Sequence, residues 1–333
     1  MRRSGGLVVV ATLGWLAVLA GLAALVGGID VAPGTAAGSP TPTLSPPIGS
    51  PSVGVPSGSP IATATGDVPG PAILVGAGDI ASCSFDADEA TAKLLDDLPG
   101  TVFTAGDNAY EDGTAAQFAD CYDPTWGRHR DRTRPAAGNH DWNTSDAAGY
   151  LGYFGAVATN DDGATWYSYE LGWWHVIVLD SDCAKVDGCG PDSAQGAWLA
   201  ADLAANEARC TLAIWHQPRF SSGMHGNDPI TDPFWRALHA AGADVVVNGH
   251  DHDYERFAPQ DPDGAAAPTG LREFVVGTGG AALRPFETSV ANSVVRSSLA
   301  HGVLELTLQQ SGYGWRFIST DGTFSDQGSA TCH

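Results

Sequence analysis

Five short motifs in this chain place potential metal ligands directly behind apolar runs. Gly78-Asp79 follows Ile73-Leu74-Val75, and Gly106-Asp107-Asn108-Ala109-Tyr110 follows Val102-Phe103-Thr104. Gly138-Asn139-His140-Asp141 comes after Arg134-Pro135-Ala136-Ala137. Ala213-Ile214-Trp215-His216 ends a later apolar run, and Asn248-Gly249-His250-Asp251-His252 ends the next. The candidate ligands Asp79, Asp107, Tyr110, Asn139, His216, His250 and His252 are two carboxylates, a phenol, an amide and three imidazoles, with no thiolate. That chemistry suits hard to borderline ions such as iron, manganese or zinc. The set is too large for one tetrahedral zinc, but it matches two ions sharing a bridging carboxylate. A single Gly-Asp is ordinary turn chemistry, so the weight lies on the ordered combination.

Ligands so far apart in sequence meet only if the elements between them bring strand ends together. The pattern provides for that. Strands are expected at 73–75, 102–104, 174–179, 211–215, 244–247, 274–276, 303–308 and 315–317, and helices at 88–98, 194–207 and 234–241. Alternating strands and helices imply an α/β domain, in which loops at the carboxyl ends of neighbouring strands converge on one crevice. Gly76-Ala77-Gly78-Asp79-Ile80-Ala81 also fits a dinucleotide-binding fingerprint. That turn must open its helix at once, whereas helical pattern here starts only near residues 86–88, so the fingerprint is rejected.

The ordered set Gly-Asp, Gly-Asp-x-x-Tyr, Gly-Asn-His-Asp, His and Gly-His-x-His resembles the calcineurin-like metallophosphoesterases. Tyr110, three positions after Asp107, narrows the resemblance to the purple acid phosphatase branch. Trp166-Tyr167-Ser168-Tyr169, Gln195-Gly196-Ala197-Trp198-Leu199 and the run from His250 to Arg256 look alike as well. The resemblance spans roughly residues 72–318. It implies a four-layer α/β/β/α sandwich of two mixed sheets flanked by helices. It also implies that Asp79, Asp107, Tyr110 and His252 hold an Fe(III). Asp107 would bridge to a second ion, zinc, manganese or Fe(II), held by Asn139, His216 and His250. The chain departs from the family in reading Gly-Asp-Ile-Ala at the first motif, where a glycine two places after the aspartate is usual.

The expected reaction is hydrolysis of phosphomonoesters by in-line attack of a metal-bound hydroxide. Three ligand charges against five from the ions leave the site positive, as an anionic ester requires. His140, beside Asn139, is the first candidate to hold substrate or protonate the leaving group. His225, in Gly223-Met224-His225-Gly226, is the second. A phosphodiesterase or nucleotidase on the same dimetal site is the alternative within the enzymes. A non-catalytic, metal-stabilised cell-surface binding module is the alternative outside them. Arg128, Arg130, Arg132 and Arg134 read as a solvated face paired with nearby aspartates rather than as a substrate clamp.

Composition sets the surroundings. The formal net charge is −22 and only two lysines occur, Lys93 and Lys185, which disfavours a nucleic-acid backbone as partner. The partner is expected to be a small phosphate ester, and oligomeric state is not legible. Arg2 and Arg3 precede an apolar stretch from Leu7 to Val26, read as a signal peptide or signal anchor over residues 1–29. Ten of the 21 prolines fall within residues 30–71, a Pro/Ser/Thr/Gly-rich stalk, so the catalytic domain is expected over 72–333 outside the cytoplasm. Export favours disulfides among the six cysteines. Cys183–Cys189 is the expected short loop, and the other pairings stay open.

Overall fold

The computed structural model describes residues 70–286 and 288–333. The Leu7–Val26 stretch and nearly all of segment 30–71 lie outside the described residues. Among the described residues no helix is long and apolar enough to cross a membrane.

Strand β1 (Ala72–Ala77) becomes fully buried along its length, as apolar runs do when both faces of a sheet are covered. After the short β2 (Ala81–Ser82), α1 (Ala87–Asp97) opens with Asp88 and Glu89, which favour its positive end. It stops before Pro99-Gly100, where Gly100 takes a φ of +101°. β3 (Thr101–Ala105) follows, then β4 (Ala109–Tyr110), the one-turn α2 (Ala115–Gln117), β5 (Thr133–Ala136) and α3 (Ala148–Phe154). The second half supplies β6 (Tyr167–Leu171), β7 (Trp174–Val178), α4 (Ala194–Ala205), β8 (Cys210–Ile214), α5 (Asp232–Ala240) and β9 (Val245–Asn248). Ser193 caps α4 by accepting from Gly196 N at 3.0 Å. β10 (Tyr254–Phe257), β11 (Arg272–Val276), β12 (Ser293–Ser297), β13 (Gly302–Gln309), β14 (Gly312–Ser319) and β15 (Ser325–Thr331) complete the chain.

The strands form two mixed sheets, ordered β15-β14-β13-β1-β3-β5 and β12-β10-β11-β9-β8-β7-β6, with β2 and β4 as a small parallel pair. β1, β3 and β5 run parallel in the first sheet, as do β7, β8, β9 and β11 in the second. The inner faces pack on each other. The Trp174 indole donates to Gln309 O at 2.8 Å and meets Tyr313 edge-on, Phe274 contacts Trp315, and Tyr254 donates to Asp326 at 2.8 Å. Truncating a buried ring such as Trp174 to alanine would cost about 3–5 kcal/mol. Outside the first sheet, Trp126 donates to Thr91 of α1 at 2.9 Å. Outside the second, α4 is tied through Asp202 to His175, and α5 packs Phe234 on Trp215. This is the four-layer α/β/β/α sandwich that the resemblance implied.

Several strands exceed the sequence expectation. β5 contains Pro135, which a central strand would exclude, but β5 is the sheet edge where a missing N–H is harmless. β10 carries Glu255 and Arg256, whose charges conceal a strand in sequence. They are buried because Ser222 N donates to Glu255 at 2.7 Å and Arg256 donates to Asp326 at 2.6 Å. β6, β12, β15 and the helix α3 were likewise unmarked by apolar periodicity.

All six cysteines are paired, as Cys83–Cys121, Cys183–Cys189 and Cys210–Cys332. The expected short loop is among them.

Candidate metal centre

Each of the five motifs leaves the carboxyl end of a parallel strand: Asp79 follows β1, Asp107 and Tyr110 follow β3, Asn139 and His140 follow β5, His216 follows β8, and His250 and His252 follow β9. The backbone turns hard at these points. Asp79, Asp107 and His250 have φ of 59°, 50° and 70°, and Gly106 has a φ of +83°. A Cβ on Gly106 would lie 2.5 Å from the His216 ring, so only glycine lets these two strand ends approach so closely.

The side chains divide into two touching groups. In one, Tyr110 Oη donates to Asp79 Oδ1 at 2.7 Å and lies 3.2 Å from His252 Nε2, which is 3.2 Å from Asp79 Oδ1. In the other, His216 Nε2 lies 3.2 Å from both Asp107 Oδ2 and His250 Nδ1, and Asp107, His216 and His250 can present one ligand atom each to a common ion. Tyr110 Oη also lies 3.0 Å from Asp107 Oδ2, so Asp107 joins the two groups. The outward nitrogens are fixed by carbonyls, His216 Nδ1 by Ala105 O and His252 Nδ1 by Ala282 O, each at 2.8 Å. Such contacts choose the ring nitrogen left for a metal. Asn139 lies between two residues that touch Asp107, and its Oδ1 is buried with no donor.

Burial pulls the Asp107 pKa up, but the His216 charge beside it prevails and holds it below the usual carboxylate range. Burial pulls His216 the other way, and Asp107 pushes it up to about 10. His250, desolvated and facing His216, is pushed down to about 3. Burial and the two carboxylates raise Tyr110 well above the ordinary phenol. A proton on a buried imidazole thus supplies the positive charge that Asp79 and Asp107 demand. Cations would meet the same demand, and an oxygen-rich donor set with a partnerless amide oxygen fits them.

The structure therefore brings six of the seven sequence-derived candidates into direct contact, and Asn139 adjoins them in sequence with its Oδ1 buried. His140 stands at the rim, its Nδ1 2.5 Å from Glu111 O and its ring 4.5 Å from that of Tyr110. His225 lies with its ring 4.1 Å from that of His250. Two contributors were missed by sequence reasoning. Asp141, the last residue of its motif, accepts from Gly138 N, Asn108 N and Asn108 Nδ2, which braces the β3 and β5 turns together; burial and Asp107 push its pKa up to about 7. Arg284 reaches the rim from the loop after β11, and no motif marks it. The arginines of 128–134 serve elsewhere: Arg128 pairs with Glu89 and Asp96, and Arg132 holds the carbonyls of Leu95 and Gly100.

The calcineurin-like phosphoesterase family model matches residues 65–254, more than half of the chain and inclusive of every ligand. The chain is 30% identical over 154 residues to purple acid phosphatase 18 of Arabidopsis thaliana, covering 42% of this chain and 34% of that protein. It is also 30% identical over 161 residues to acid phosphatase A of Cryphonectria parasitica, covering 41% and 31%. The chain thus spans about a third of the length of the curated relatives it matches. Among solved structures it is similar to purple acid phosphatase PPD1 of yellow lupin seeds, with a TM-score of 0.63 at 17% identity over 78% of this chain and 54% of that one. GAP50 of Plasmodium, an inner-membrane-complex anchor, has a TM-score of 0.59 at 14% identity over 78% and 88%. At such identities the structural matches bear out the fold.

Proposed function

Because the chain belongs to the calcineurin-like phosphoesterase family, we propose that it is a dimetal phosphatase of the purple acid phosphatase type that hydrolyses phosphomonoesters. The observation that carries this reading is the division of the ligands into two groups joined by Asp107. Asp79, Tyr110 and His252 would hold Fe(III) together with Asp107. Asn139, His216 and His250 would hold zinc, manganese or Fe(II) on the other side of Asp107. When bound, the ions supply Lewis acidity that activates water and neutralises charge on the phosphoryl oxygens. His140 directs Nδ1 to the Glu111 carbonyl, which leaves Nε2 to carry a proton to the departing alkoxide. Asp141 keeps the β3 and β5 turns in register beneath it.

The same reading places the catalytic domain, residues 72–333, outside the cytoplasm behind the 1–29 signal or anchor and the 30–71 stalk. Three closed disulfides suit that compartment. GAP50 shares the fold and is described as an anchor, so the fold alone does not establish catalysis. The ligand set together with His140 favours the hydrolase over a metal-stabilised binding module.

The test is metal analysis of the purified protein with turnover of p-nitrophenyl phosphate and bis(p-nitrophenyl) phosphate from about pH 4 to 9, bracketing histidine titration. Two bound ions and dominant monoester turnover are expected, and Asp107→Ala should abolish it. A metal-replete but inert protein would favour the binding module, and dominant diester turnover the phosphodiesterase. Near-wild-type activity in Asp107→Ala would end the two-metal mechanism.

A further inference from the structure

Arg284 is held at the rim by both its main chain and its side chain. Its N–H donates to His252 O at 3.0 Å, and its guanidinium Nη1 donates to His225 Nε2 at 2.6 Å. His225 is itself fixed, with its N–H given to Asp251 Oδ1 at 2.8 Å and its ring against that of His250. With Ser82, Phe85, Tyr110, His140 and His252, Arg284 lines a recess of about 110 Å³. Organic ligands of drug size occupy roughly 300–1,000 Å³, so this recess suits a phosphoryl group and leaves the alcohol outside.

We propose that Arg284, seated on His225, selects phosphomonoesters over diesters by binding the terminal phosphoryl oxygen that a diester lacks. The inference rests on the phosphatase reading above and names the substrate preference of the same site. A monoester presents three strong acceptor oxygens and close to two negative charges near neutrality; a diester has one oxygen esterified further and a single charge. The additional oxygen and charge need a cation beyond those of the metal ligands' own ions. Arg128, Arg236, Arg256 and Arg316 are tied to carboxylates, Glu89, Asp232, Asp326 and Glu305, and Arg132 and Arg272 hold backbone carbonyls; among the described residues Arg284 is the arginine that lines the recess. Among the described residues, Arg284 makes no ion pair with a carboxylate within 4.0 Å. Its one side-chain partner is an imidazole nitrogen acting as acceptor, which orients the planar fork without cancelling its charge. The remaining N–H groups are left for an oxyanion. His225 is in this arrangement a positioning residue for Arg284.

The experiment compares wild type with Arg284→Ala, Arg284→Lys, Arg284→Gln and His225→Ala as metal-loaded full-length proteins. Metal content, kcat and KM for both p-nitrophenyl esters, and inorganic phosphate affinity by calorimetry are the readouts. Arg284→Ala should keep its metals, lose roughly 10- to 150-fold in monoester kcat/KM and in phosphate affinity, and lower the monoester-to-diester ratio by about tenfold or more. Arg284→Gln should behave alike if the alanine variant does not fold. Arg284→Lys should recover part of the loss, and His225→Ala should fall between, chiefly through KM. Equal losses for both esters, or phosphate affinity within roughly twofold of wild type, would overturn the proposal. If wild type turns over neither ester, the phosphatase reading fails, and the calorimetry still decides whether Arg284 binds the anion.

Discussion

The main-chain N–H of His140 donates to Asp107 Oδ1 at 2.8 Å, while the Nε2 of the same residue lies 3.8 Å from Asp107 Oδ2. One residue thus steadies the carboxylate that joins the two ligand groups and turns its ring toward the rim. The two roles are separable, because the backbone bond survives truncation of the side chain. His140→Ala should retain its metals and lower turnover by roughly 10²- to 10⁴-fold, the span of a general acid. Metal analysis beside single-substrate kinetics checks this, and loss of metal would make the ring structural.

Gly106→Ala should damage the centre without touching a ligand. The new methyl would sit 2.5 Å from His216 Nδ1 at a φ of +83°, so His216 must move or the turn must unwind. A destabilisation of about 2 kcal/mol or more is expected, with reduced metal content. Thermal unfolding and metal analysis of the variant give the answer, and an unchanged midpoint with full metal would contradict it.

Tyr110 tests the proposed iron site. A phenolate on Fe(III) donates charge to the metal and absorbs visible light, whereas zinc or manganese with the same ligands would be nearly colourless. The oxidised protein should be violet to pink, and Tyr110→Phe should bleach it with the fold intact. A colourless, iron-free and fully active native protein would remove the purple acid phosphatase assignment while leaving the family untouched.

His175, on β7, lies between Glu170 and Asp202, with one ring nitrogen 2.7 Å from each. Burial alone would lower its pKa, but Asp202 and Glu170 reverse this and hold it above the ordinary value. The charged imidazole is therefore a stabilising group below the unfolded pKa of about 6.5, and its contribution fades as pH rises through the higher folded value. His175→Gln should lower the thermal midpoint most at acid pH, with the gap narrowing toward alkaline pH. A gap independent of pH would show that packing, not charge, is what the residue contributes.

The candidate ligands, their order along the chain and the α/β class were legible from the sequence alone. Each candidate ligand sits at the end of an apolar run, and such runs become strands whose carboxyl ends converge. Tyr110 was legible because its spacing from Asp107 is local. Pairings between distant segments were decided only by the tertiary structure. Which strand borders which is set by sheet packing, and so were the hidden strands β5 and β10, whose Pro135, Glu255 and Arg256 disguise them until an edge position or a buried partner makes them tolerable. Arg284 lies more than thirty residues beyond the last ligand motif, in a loop without periodicity. It gains a role only because β11 returns beside β9 in the sheet and carries that loop to the rim. Spacing along the chain reports local geometry, whereas a group delivered by sheet register carries no local mark.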